Sequence, residues 1–476
     1  MSTKPLLDEI AAFCRGAEMA ETTFGRHAVN DGKFVSRLRG GGKVTPETAA
    51  RVRSFIQKTP AQKSLATAAV KTPGKVDKPG MPALAAKKAP ATPTTPPPSD
   101  EKNFRFYDNR QTYLMFVNTC SEKLVVARRI AQELENITPR PPALRLFDAG
   151  VGDGTVLTRV MRTMHQRFKW MPFYIVGKEI SLEDVRLALE KMPDRFQEHP
   201  ATVLVMTNLN YADAPWLTPN NMAAAQTMVW HEVGLQGDSA AEFDQQIADL
   251  EDFLGENWRA SPSPKSGNPV YDKPVALIIY REDCKVLLDH ILPRRGAVKA
   301  DYDLVIASQP YRARASTAFK AKRVIAPLAK ALGPGGRLIG IHSCGGDPAL
   351  EIVQKVWPKE EPFATNRHDL LKATKAELGK KASQYNFSSQ SDARALFRYD
   401  MHTLPGEIDA ESNSIGTSTL FAAWNAATYV AQIEDQRMQE AMTSDTYLQA
   451  TKDVLKKHGA LWFQDEAFVI TRKRDI

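Results

Sequence analysis

Two spacings of hydrophobic residues run through the middle of this chain, and they predict alternating strands and helices. Apolar residues three and four positions apart predict helices over Thr155–Phe168 and Leu182–Met192. Short apolar runs with polar ends predict buried strands, and the first three end at or near Asp148, Glu179 and Asn208. Strands that alternate with helices in this way are typical of α/β proteins with a parallel sheet.

The turn after the first of these strands is rich in glycine. It lies within Leu144 to Met161 and reads D-A-G-V-G-D-G, where Gly150, Gly152 and Gly154 follow Asp148. Glycine is needed where the backbone passes close to a ligand or adopts conformations that a Cβ forbids. The spacing differs from the G-x-G-x-x-G of dinucleotide-binding proteins, and an ordinary strand–helix turn is the alternative. The turn resembles the S-adenosylmethionine loop of class I methyltransferases.

This resemblance implies S-adenosylmethionine as the cofactor and six residues that bind it. They are Asp148, Gly150, Gly152, Gly154, Glu179 and Asn208. The glycines would line the methionine and ribose, and Asp148 would fix the loop or bind the amino group. Glu179, an acid at the end of a strand, would accept hydrogen bonds from both ribose hydroxyls. The adenine edge would be held by Asn208, with Asn210 and Asp213 as alternatives.

A second informative turn follows the short strand in Asp301–Ser308. Its sequence, Ser308-Gln309-Pro310-Tyr311, resembles the S/N/D-P-P-Y motif of methyltransferases that act on planar nitrogens, such as adenine N6, cytosine N4 or a glutamine amide. The resemblance implies that Ser308 and the Pro310 region accept hydrogen bonds from the target amine while the ring of Tyr311 stacks on it. Gln309 stands in place of the first proline, so acceptors of other classes stay open.

The last third of the chain completes the predicted sheet. A helix, a G-P-G-G turn and an apolar strand resemble the last parallel element of class I methyltransferases, and ALWFQDEAFVITRK predicts a hairpin turning at Gln464–Glu466. We therefore predict a Rossmann-like, seven-stranded α/β methyltransferase domain over 104–476. It includes an insertion at about 216–300, in which one strand is either an addition or the true fourth strand. A cap over the substrate mouth is predicted at about 357–415.

Two further groups of side chains have two interpretations each. Tyr107, Tyr113 and Phe116 lie ahead of the glycine turn and either reach the cofactor or belong to the core. Basic side chains after the Ser308 turn either hold an anionic substrate group or form a solvated helix face. These basic residues are Arg312, Arg314, Lys320, Lys322 and Arg323.

The N-terminal region carries all of the excess positive charge. Residues 1–100 contain sixteen Lys and Arg against eight Asp and Glu, and the rest of the chain contains forty-seven of each. Within 1–58, short predicted helices over Thr22–Ala28 and Asp31–Leu38 resemble a repressor-like helix-turn-helix of bacterial DNA-binding proteins. The resemblance implies DNA as a partner and homodimer formation. The implied DNA contacts are Lys33, Ser36, Arg37 and Arg39. The alternative is a helical protein–protein module with a basic face.

Between this unit and the catalytic part lies a segment that is not expected to fold. Residues 59–103 are rich in Pro, Ala, Lys and Thr and hold few large apolar side chains, which predicts a flexible tether. The four cysteines are scattered without zinc spacing, no apolar run is long enough to span a bilayer, and no secretory signal is evident. We therefore expect a cytoplasmic protein without a metal site.

These observations leave three functional hypotheses. In the first, the protein methylates an amino group of DNA, and the N-terminal unit raises the local substrate concentration. In the second, it methylates a small molecule or a protein, and the N-terminal unit regulates transcription. In the third, it is a regulator whose methyltransferase fold only binds the cofactor.

Overall fold

The fold is given by a computed structural model that describes most of the chain outside the tether. The residues described are 4–16, 21, 24, 28–29, 34–39, 44–58, 110–263, 269–403, 407–408 and 415–474. Lys33, Tyr107 and the predicted tether at 59–103 lie outside these residues. The chain divides into two units, Met1–Thr95 and Pro96–Ile476.

The N-terminal unit is helical and has its own hydrophobic core. Its described helices are α1 (Lys4–Gly16), α2 (Phe34–Arg39) and α3 (Pro46–Lys58). Three phenylalanine rings, those of Phe13, Phe24 and Phe55, contact one another with centroids 5.5 to 6.0 Å apart. Of the turn predicted at Val29–Asn30, Asn30 lies outside the described residues, so the helix-turn-helix stays a prediction.

The second unit alternates strands and helices as predicted. Its described helices are α4 (Arg110–Thr119), α5 (Glu122–Leu134), α6 (Thr155–Arg167), α7 (Leu182–Leu189), α8 (Pro193–Glu198), α9 (Met222–Thr227), α10 (Ala240–Ala248), α11 (Glu251–Asn257), α12 (Lys285–Leu288), α13 (Thr317–Lys320), α14 (Ala326–Lys330), α15 (Pro348–Val356), α16 (Arg367–Leu378), α17 (Asp392–Ala395), α18 (Thr417–Val430), α19 (Asp435–Ala441) and α20 (Thr446–His458). Its described strands are β1 (Leu144–Asp148), β2 (Phe173–Lys178), β3 (Thr202–Thr207), β4 (Val229–Leu235), β5 (Ala260–Pro262), β6 (Pro269–Tyr271), β7 (Val275–Arg281), β8 (Tyr302–Ser308), β9 (Leu332–Ser343), β10 (Tyr385–Ser388), β11 (Leu396–Asp400) and β12 (Trp462–Arg472).

Ten of the described strands form one sheet. Its order is β10-β12-β9-β8-β1-β2-β3-β7-β4, and β11 also pairs with β12. Within this order, five neighbouring strands run parallel: β9, β8, β1, β2 and β3. Strand β12 is antiparallel to β9, and β10 is antiparallel to β12. Apolar residues pack on both faces of this sheet. The predicted α/β, Rossmann-like fold is therefore confirmed, whereas the sheet has ten described strands and not the seven predicted.

The order of the strands places a crevice at the carboxyl end of β1. The chain proceeds from β1 through β2 to β3 on one side, and then returns to the other side as β8 and β9. In open α/β sheets, ligands bind where the strand order reverses in this way. The glycine turn that follows β1 lies at this point.

The predicted terminal hairpin is wrong, because Trp462–Arg472 is one continuous strand. Its polar residues do not form a turn: Asp465 pairs in register with Ser343, and Glu466 pairs with His342. Both acids are buried and accept hydrogen bonds from distant residues. The antiparallel partners of this strand are β9, β10 and β11.

The segments predicted as insertion and cap both contribute strands to the sheet. From the insertion, β7 pairs with β3 and β4 pairs with β7, so they extend the sheet at its β3 edge. The neighbour of β1 on the other side is β8, and neither inserted strand is the fourth core strand. From the segment predicted as a cap, β10 and β11 pair with β12. Along the described chain, no helix is both long and apolar enough to cross a bilayer.

Candidate active site

A cavity of about 290 Å³ opens at the carboxyl ends of the parallel strands. The loop after β1 contributes Gly150 and Gly152, the end of β2 contributes Glu179, and the end of β8 contributes Ser308 and Pro310. Residues separated by more than 150 positions therefore meet at the reversal of strand order.

Hydrogen bonds hold the glycine loop open toward this cavity. The Gly150 N–H donates to Asp148 Oδ1 at 3.1 Å, and the Gly152 N–H donates to Glu179 Oε2 at 2.9 Å. Gly152 has a φ of +54°, which favours glycine, and a Cβ at Gly150 would meet nothing within 4 Å. Asp148 is buried behind the loop, and burial raises its pKa to about 7. Its observed contact is with the loop backbone.

The carboxylate of Glu179 joins the ends of two strands. Besides Gly152, it accepts hydrogen bonds from the N–H groups of Ile180 at 2.8 Å and Ser181 at 2.9 Å, both at Oε1. Burial and the charge of Asp184 raise the pKa of Glu179, and the charge of Lys178 and the N–H groups of Ser181 and Gly152 oppose that rise. A carboxylate has about four acceptor positions, so the one that remains on Oε2 is available to a ligand hydroxyl. Glu179 therefore has one acceptor position left for a ligand hydroxyl, whereas the sequence-based prediction needed two, one for each ribose hydroxyl.

Three of the six predicted cofactor residues, Asp148, Gly154 and Asn208, do not line the cavity. Gly154 has a φ of +79°, and an added Cβ would lie 2.8 Å from the Cα of Ala188, so this glycine allows α6 and α7 to pack closely. Asn208 donates to the carbonyl oxygen of Lys273 at 2.8 Å and accepts from the N–H of Val275 at 2.9 Å. Both ends of its amide therefore attach β3 to the start of β7, which corrects its predicted contact with adenine.

The turn after β8 does not have the geometry of a proline turn. Gln309 has a φ of +47°, whereas proline is fixed near −65°. Its side chain donates to Ser343 Oγ at 3.1 Å and to Asp465 Oδ2 at 3.3 Å. A proline at position 309 could neither adopt this φ nor make these hydrogen bonds to β9 and β12.

Tyr311 faces away from the cavity. Its hydroxyl lies 2.7 Å from His342 Nδ1, and His342 Nε2 lies 2.8 Å from Glu466 Oε1. The second oxygen of Glu466 accepts from Arg367 at 2.8 Å, which completes a buried chain of four side chains. The prediction that the ring of Tyr311 stacks on the methyl acceptor is corrected by this placement, while Ser308 and Pro310 do line the cavity.

Two residues that sequence reasoning missed, Tyr211 and Lys178, line the cavity near the Ser308 turn. Tyr211, in the loop after β3, donates its hydroxyl to the Pro310 carbonyl at 2.5 Å. Lys178 is the last residue of β2, and its Nζ lies 4.7 Å from the centroid of the Tyr211 ring. The only sequence signal was a lysine beside the strand-end acid and a tyrosine after the next strand. Their meeting depends on three separate loops.

An aromatic wall closes the opposite side of the cavity. Tyr113 and Phe116 come from α4, Tyr399 from β11 and Tyr429 from α18. The rings of Phe116 and Tyr429 lie 4.9 Å apart. The hydroxyl of Tyr399 is buried and has no hydrogen-bond partner among the described residues. The interpretation in which Tyr113 and Phe116 reach the ligand cavity therefore fits their position.

The basic residues after the Ser308 turn divide into different environments. Arg312 lines the cavity. Arg314 donates to the carbonyl oxygens of Ala431 and Gln432, and Lys320 is buried and donates to the carbonyl oxygen of Ala313. Their roles are structural. Lys322 and Arg323 are exposed.

In the N-terminal unit, one face of α2 is polar and exposed. Ser36, Arg37 and Arg39 are exposed, whereas Phe34, Val35 and Leu38 are buried. Arg39 also donates to Glu21. The fourth predicted DNA contact, Lys33, lies outside the described residues.

The sequence matches no family model and no curated protein. Solved structures that resemble it include S-adenosylmethionine-dependent methyltransferases. One is geranyl diphosphate methyltransferase in complex with GPP and sinefungin. It is 12% identical, the match covers 72% of this chain and 77% of that chain, and the TM-score is 0.26. Another is the plantazolicin methyltransferase BpumL with S-adenosylhomocysteine, at 7% identity, coverages of 79% and 92%, and a TM-score of 0.28. A third is Haemonchus contortus phosphoethanolamine N-methyltransferase 2, at 10% identity, coverages of 75% and 53%, and a TM-score of 0.25.

Proposed function

We propose that this protein is an S-adenosylmethionine-dependent methyltransferase whose cofactor binds in the cavity at the end of β1. The observation that carries the proposal is the hydrogen bond from the Gly152 N–H to Glu179 Oε2, at 2.9 Å. It joins a glycine loop to a strand-end carboxylate at the point where the strand order reverses. That is where a nucleoside with ribose hydroxyls finds both space and an acceptor.

The residues present fit such a cofactor. Gly150 is exposed and leaves open space where other residues would carry a Cβ, so a ligand can approach the backbone there. Glu179 keeps an acceptor position for a ribose hydroxyl, and Ile180 lies beside it on the cavity wall. The aromatic rings of Tyr113 and Phe116 cover the other side.

The bound cofactor supplies an activated methyl group, and the task of the chain is then alignment. Gly150 and Gly152 set how close the ligand lies to the loop, and Glu179 orients it through a hydroxyl. Ser308 and the Pro310 carbonyl offer hydrogen-bond acceptors for the nucleophile. The aromatic wall excludes water, and such alignment in a dry site is the main requirement of the reaction. A catalytic triad is not needed.

As the acceptor atom we propose an amino nitrogen on a planar group. The Ser308 hydroxyl and the Pro310 carbonyl would accept its hydrogen bonds, as the motif implies. The ring beside them is that of Tyr211, whose hydroxyl is fixed to Pro310 at 2.5 Å. A stable N-methyl product, identified by mass spectrometry after hydrolysis, supports this assignment, and an O-methyl or S-methyl product contradicts it.

Binding and labelling test the proposed activity. Calorimetry with S-adenosylhomocysteine should give saturable binding to the wild type and at least tenfold weaker binding to Glu179→Ala. Glu183→Ala is the matched control, since this neighbouring acid is exposed. Tritiated methyl groups from S-adenosylmethionine should enter one class of acceptor in cell fractions. Absence of cofactor binding refutes the proposal, and binding without labelling leaves a regulator that only binds the cofactor.

A second function, DNA binding by the N-terminal unit, is supported by the exposed polar face of α2. Ser36, Arg37 and Arg39 lie on that face, and residues 1–100 carry eight more basic than acidic side chains. Excess positive charge of this kind attracts the phosphate backbone, so affinity should fall as salt rises. A homodimer would bring two such faces to two half-sites of DNA.

Fluorescence anisotropy of the full-length protein with duplex DNA tests this second function. Arg37→Ala should weaken binding at least fivefold and reduce its salt dependence. Arg294→Ala is the control, because Arg294 is an exposed arginine of the other unit. Equal effects of the two substitutions contradict a DNA interface on α2. If DNA is also the methyl acceptor, Arg37→Ala should lower its labelling in the same proportion.

A further inference from the structure

One ammonium group in the cavity has no hydrogen-bond acceptor supplied by the described chain. Lys178 is 9% exposed, and its Nζ donates no hydrogen bond to any residue that the structure describes. The Nζ lies over the ring of Tyr211, 4.7 Å from the ring centroid. A buried charge without a partner is costly, and lysines are rarely buried unless they are paired.

Other charges on the cavity wall do have partners. Glu179 accepts three backbone N–H groups. The Lys123 ammonium lies 3.7 Å from Glu122 Oε2. For Lys178, no carboxylate of the described residues lies within ion-pair distance. Burial lowers its pKa, and the charge of Glu179, which lies farther away, opposes that shift. A close partner for this ammonium would therefore have to be an anion that the described chain does not provide.

The position of Lys178 separates this anion from the glycine loop. Successive side chains of a strand point to opposite faces of a sheet. Accordingly, Glu179 contacts the Gly152 loop, whereas Lys178 contacts Tyr211, whose hydroxyl binds the Pro310 carbonyl. An anion at Lys178 would lie beside the turn proposed for the methyl acceptor.

We propose that Lys178 binds an oxyanion, a carboxylate or a phosphate, carried by the methyl acceptor. The proposal rests on the function proposed above, because it assigns the part of the cavity that the cofactor leaves free. Lysine binds such groups as a compact point charge with three donors. The ring of Tyr211 holds the ammonium in place before the acceptor binds. Arg312, on the same wall, adds positive charge to this end of the cavity.

The test uses the full-length protein saturated with S-adenosylhomocysteine and three probes of similar size. Benzoate carries a carboxylate, phenyl phosphate carries a phosphate, and benzamide is neutral. In calorimetric titrations, at least one anionic probe should bind ten times more tightly than benzamide. Lys178→Met, which keeps an apolar side chain of similar length, should reduce the anionic affinity at least tenfold and leave that of benzamide unchanged. The probe bound more tightly tells a carboxylate acceptor from a phosphate acceptor.

Lys355→Met is the matched control, since Lys355 lies on the surface of α15, 3.8 Å from Asp453. It should bind the probes as the wild type does. A second measurement is thermal unfolding without ligand, in which Lys178→Met should unfold at the same or a higher temperature because it removes an unpaired buried charge.

Three outcomes would overturn the oxyanion site. The anionic probes bind Lys178→Met as well as the wild type, benzamide binds as tightly as the anions, or the affinity for S-adenosylhomocysteine falls as much as that for the probes. The last result would assign Lys178 to the cofactor. Failure of the wild type to bind S-adenosylhomocysteine at all would instead refute the proposed methyltransferase function, so the two failures are distinguishable.

Discussion

Alanine substitutions at two glycines of the same loop should change different properties: stability at Gly154 and ligand binding at Gly150. Gly154 has a φ of +79°, and an added Cβ would lie 2.8 Å from the Cα and 2.9 Å from the Cβ of Ala188. A Cβ on Gly150 would instead meet nothing within 4 Å and would project into open space at the cavity. The first substitution therefore perturbs packing, and the second perturbs the ligand site.

The expected loss for Gly154→Ala follows from two contributions. A non-glycine residue in the left-handed region costs about 1–2 kcal/mol. Overpacking against the backbone of the next helix costs about 1–3 kcal/mol more. The free energy of unfolding should therefore fall by about 2–5 kcal/mol, since Ala188 is buried and its Cα has little room to move. Gly150→Ala should change it by less than about 0.5 kcal/mol, as is usual for surface substitutions.

Urea unfolding followed by circular dichroism measures the first effect, and calorimetry with S-adenosylhomocysteine measures the second. Gly150→Ala should bind the cofactor product at least tenfold more weakly with unchanged stability. Gly154→Ala, assayed at a temperature where it is folded, should bind within threefold of the wild type. The reasoning is refuted if Gly154→Ala is as stable as the wild type, or if Gly150→Ala binds normally.

Three more predictions concern buried polar groups. Tyr311→Phe leaves His342 Nδ1 without its hydrogen-bond partner, so the free energy of unfolding should fall by about 1–3 kcal/mol. S-adenosylhomocysteine binding should be unchanged, and weaker binding would indicate that Tyr311 belongs to the ligand site. Burial raises the pKa of Asp148 to about 7 from 3.8, so the wild type should lose stability as pH rises from 4 through 7. Asp148→Asn should not show this loss, so its urea midpoint should rise relative to that of the wild type between pH 5 and pH 8. A difference in midpoint that does not change with pH would contradict the raised pKa. Burial lowers the pKa of His199 to about 4 from 6.5, so stability should fall as pH decreases through that range, and His199→Gln should show a smaller fall; equal slopes would exclude a role for His199.

The part of the site that sequence predicted is the part built from neighbouring residues. The strand to Asp148, the glycine turn, the following helix and Glu179 are contiguous, and local spacing is enough to order them. The observed bond between Gly152 and Glu179 closes this unit over twenty-seven positions. Local pattern could not show that Glu179 already accepts three N–H groups.

The prediction failed where a polar residue takes its partner from a distant strand. Asp465 and Glu466 were predicted to form a turn because three polar residues follow one another in an apolar stretch. In the structure they are buried, with partners such as Gln309 and Arg367, which lie far away in sequence. A buried polar residue is tolerated only when it is hydrogen-bonded, and a single sequence does not show the partner.

The same long-range bonding changes the meaning of the Ser308 turn. In the motif that it resembles, local prolines set the backbone and a local aromatic ring meets the acceptor. Here Gln309 adopts a conformation that proline cannot, held by Ser343 and Asp465, and Tyr311 is bound into the core by His342. The aromatic ring beside the turn is therefore that of Tyr211, and the ammonium of Lys178 lies over this ring. If the methyl acceptor binds beside this turn as proposed, the positive charge of Lys178 should decide which molecules enter the cavity.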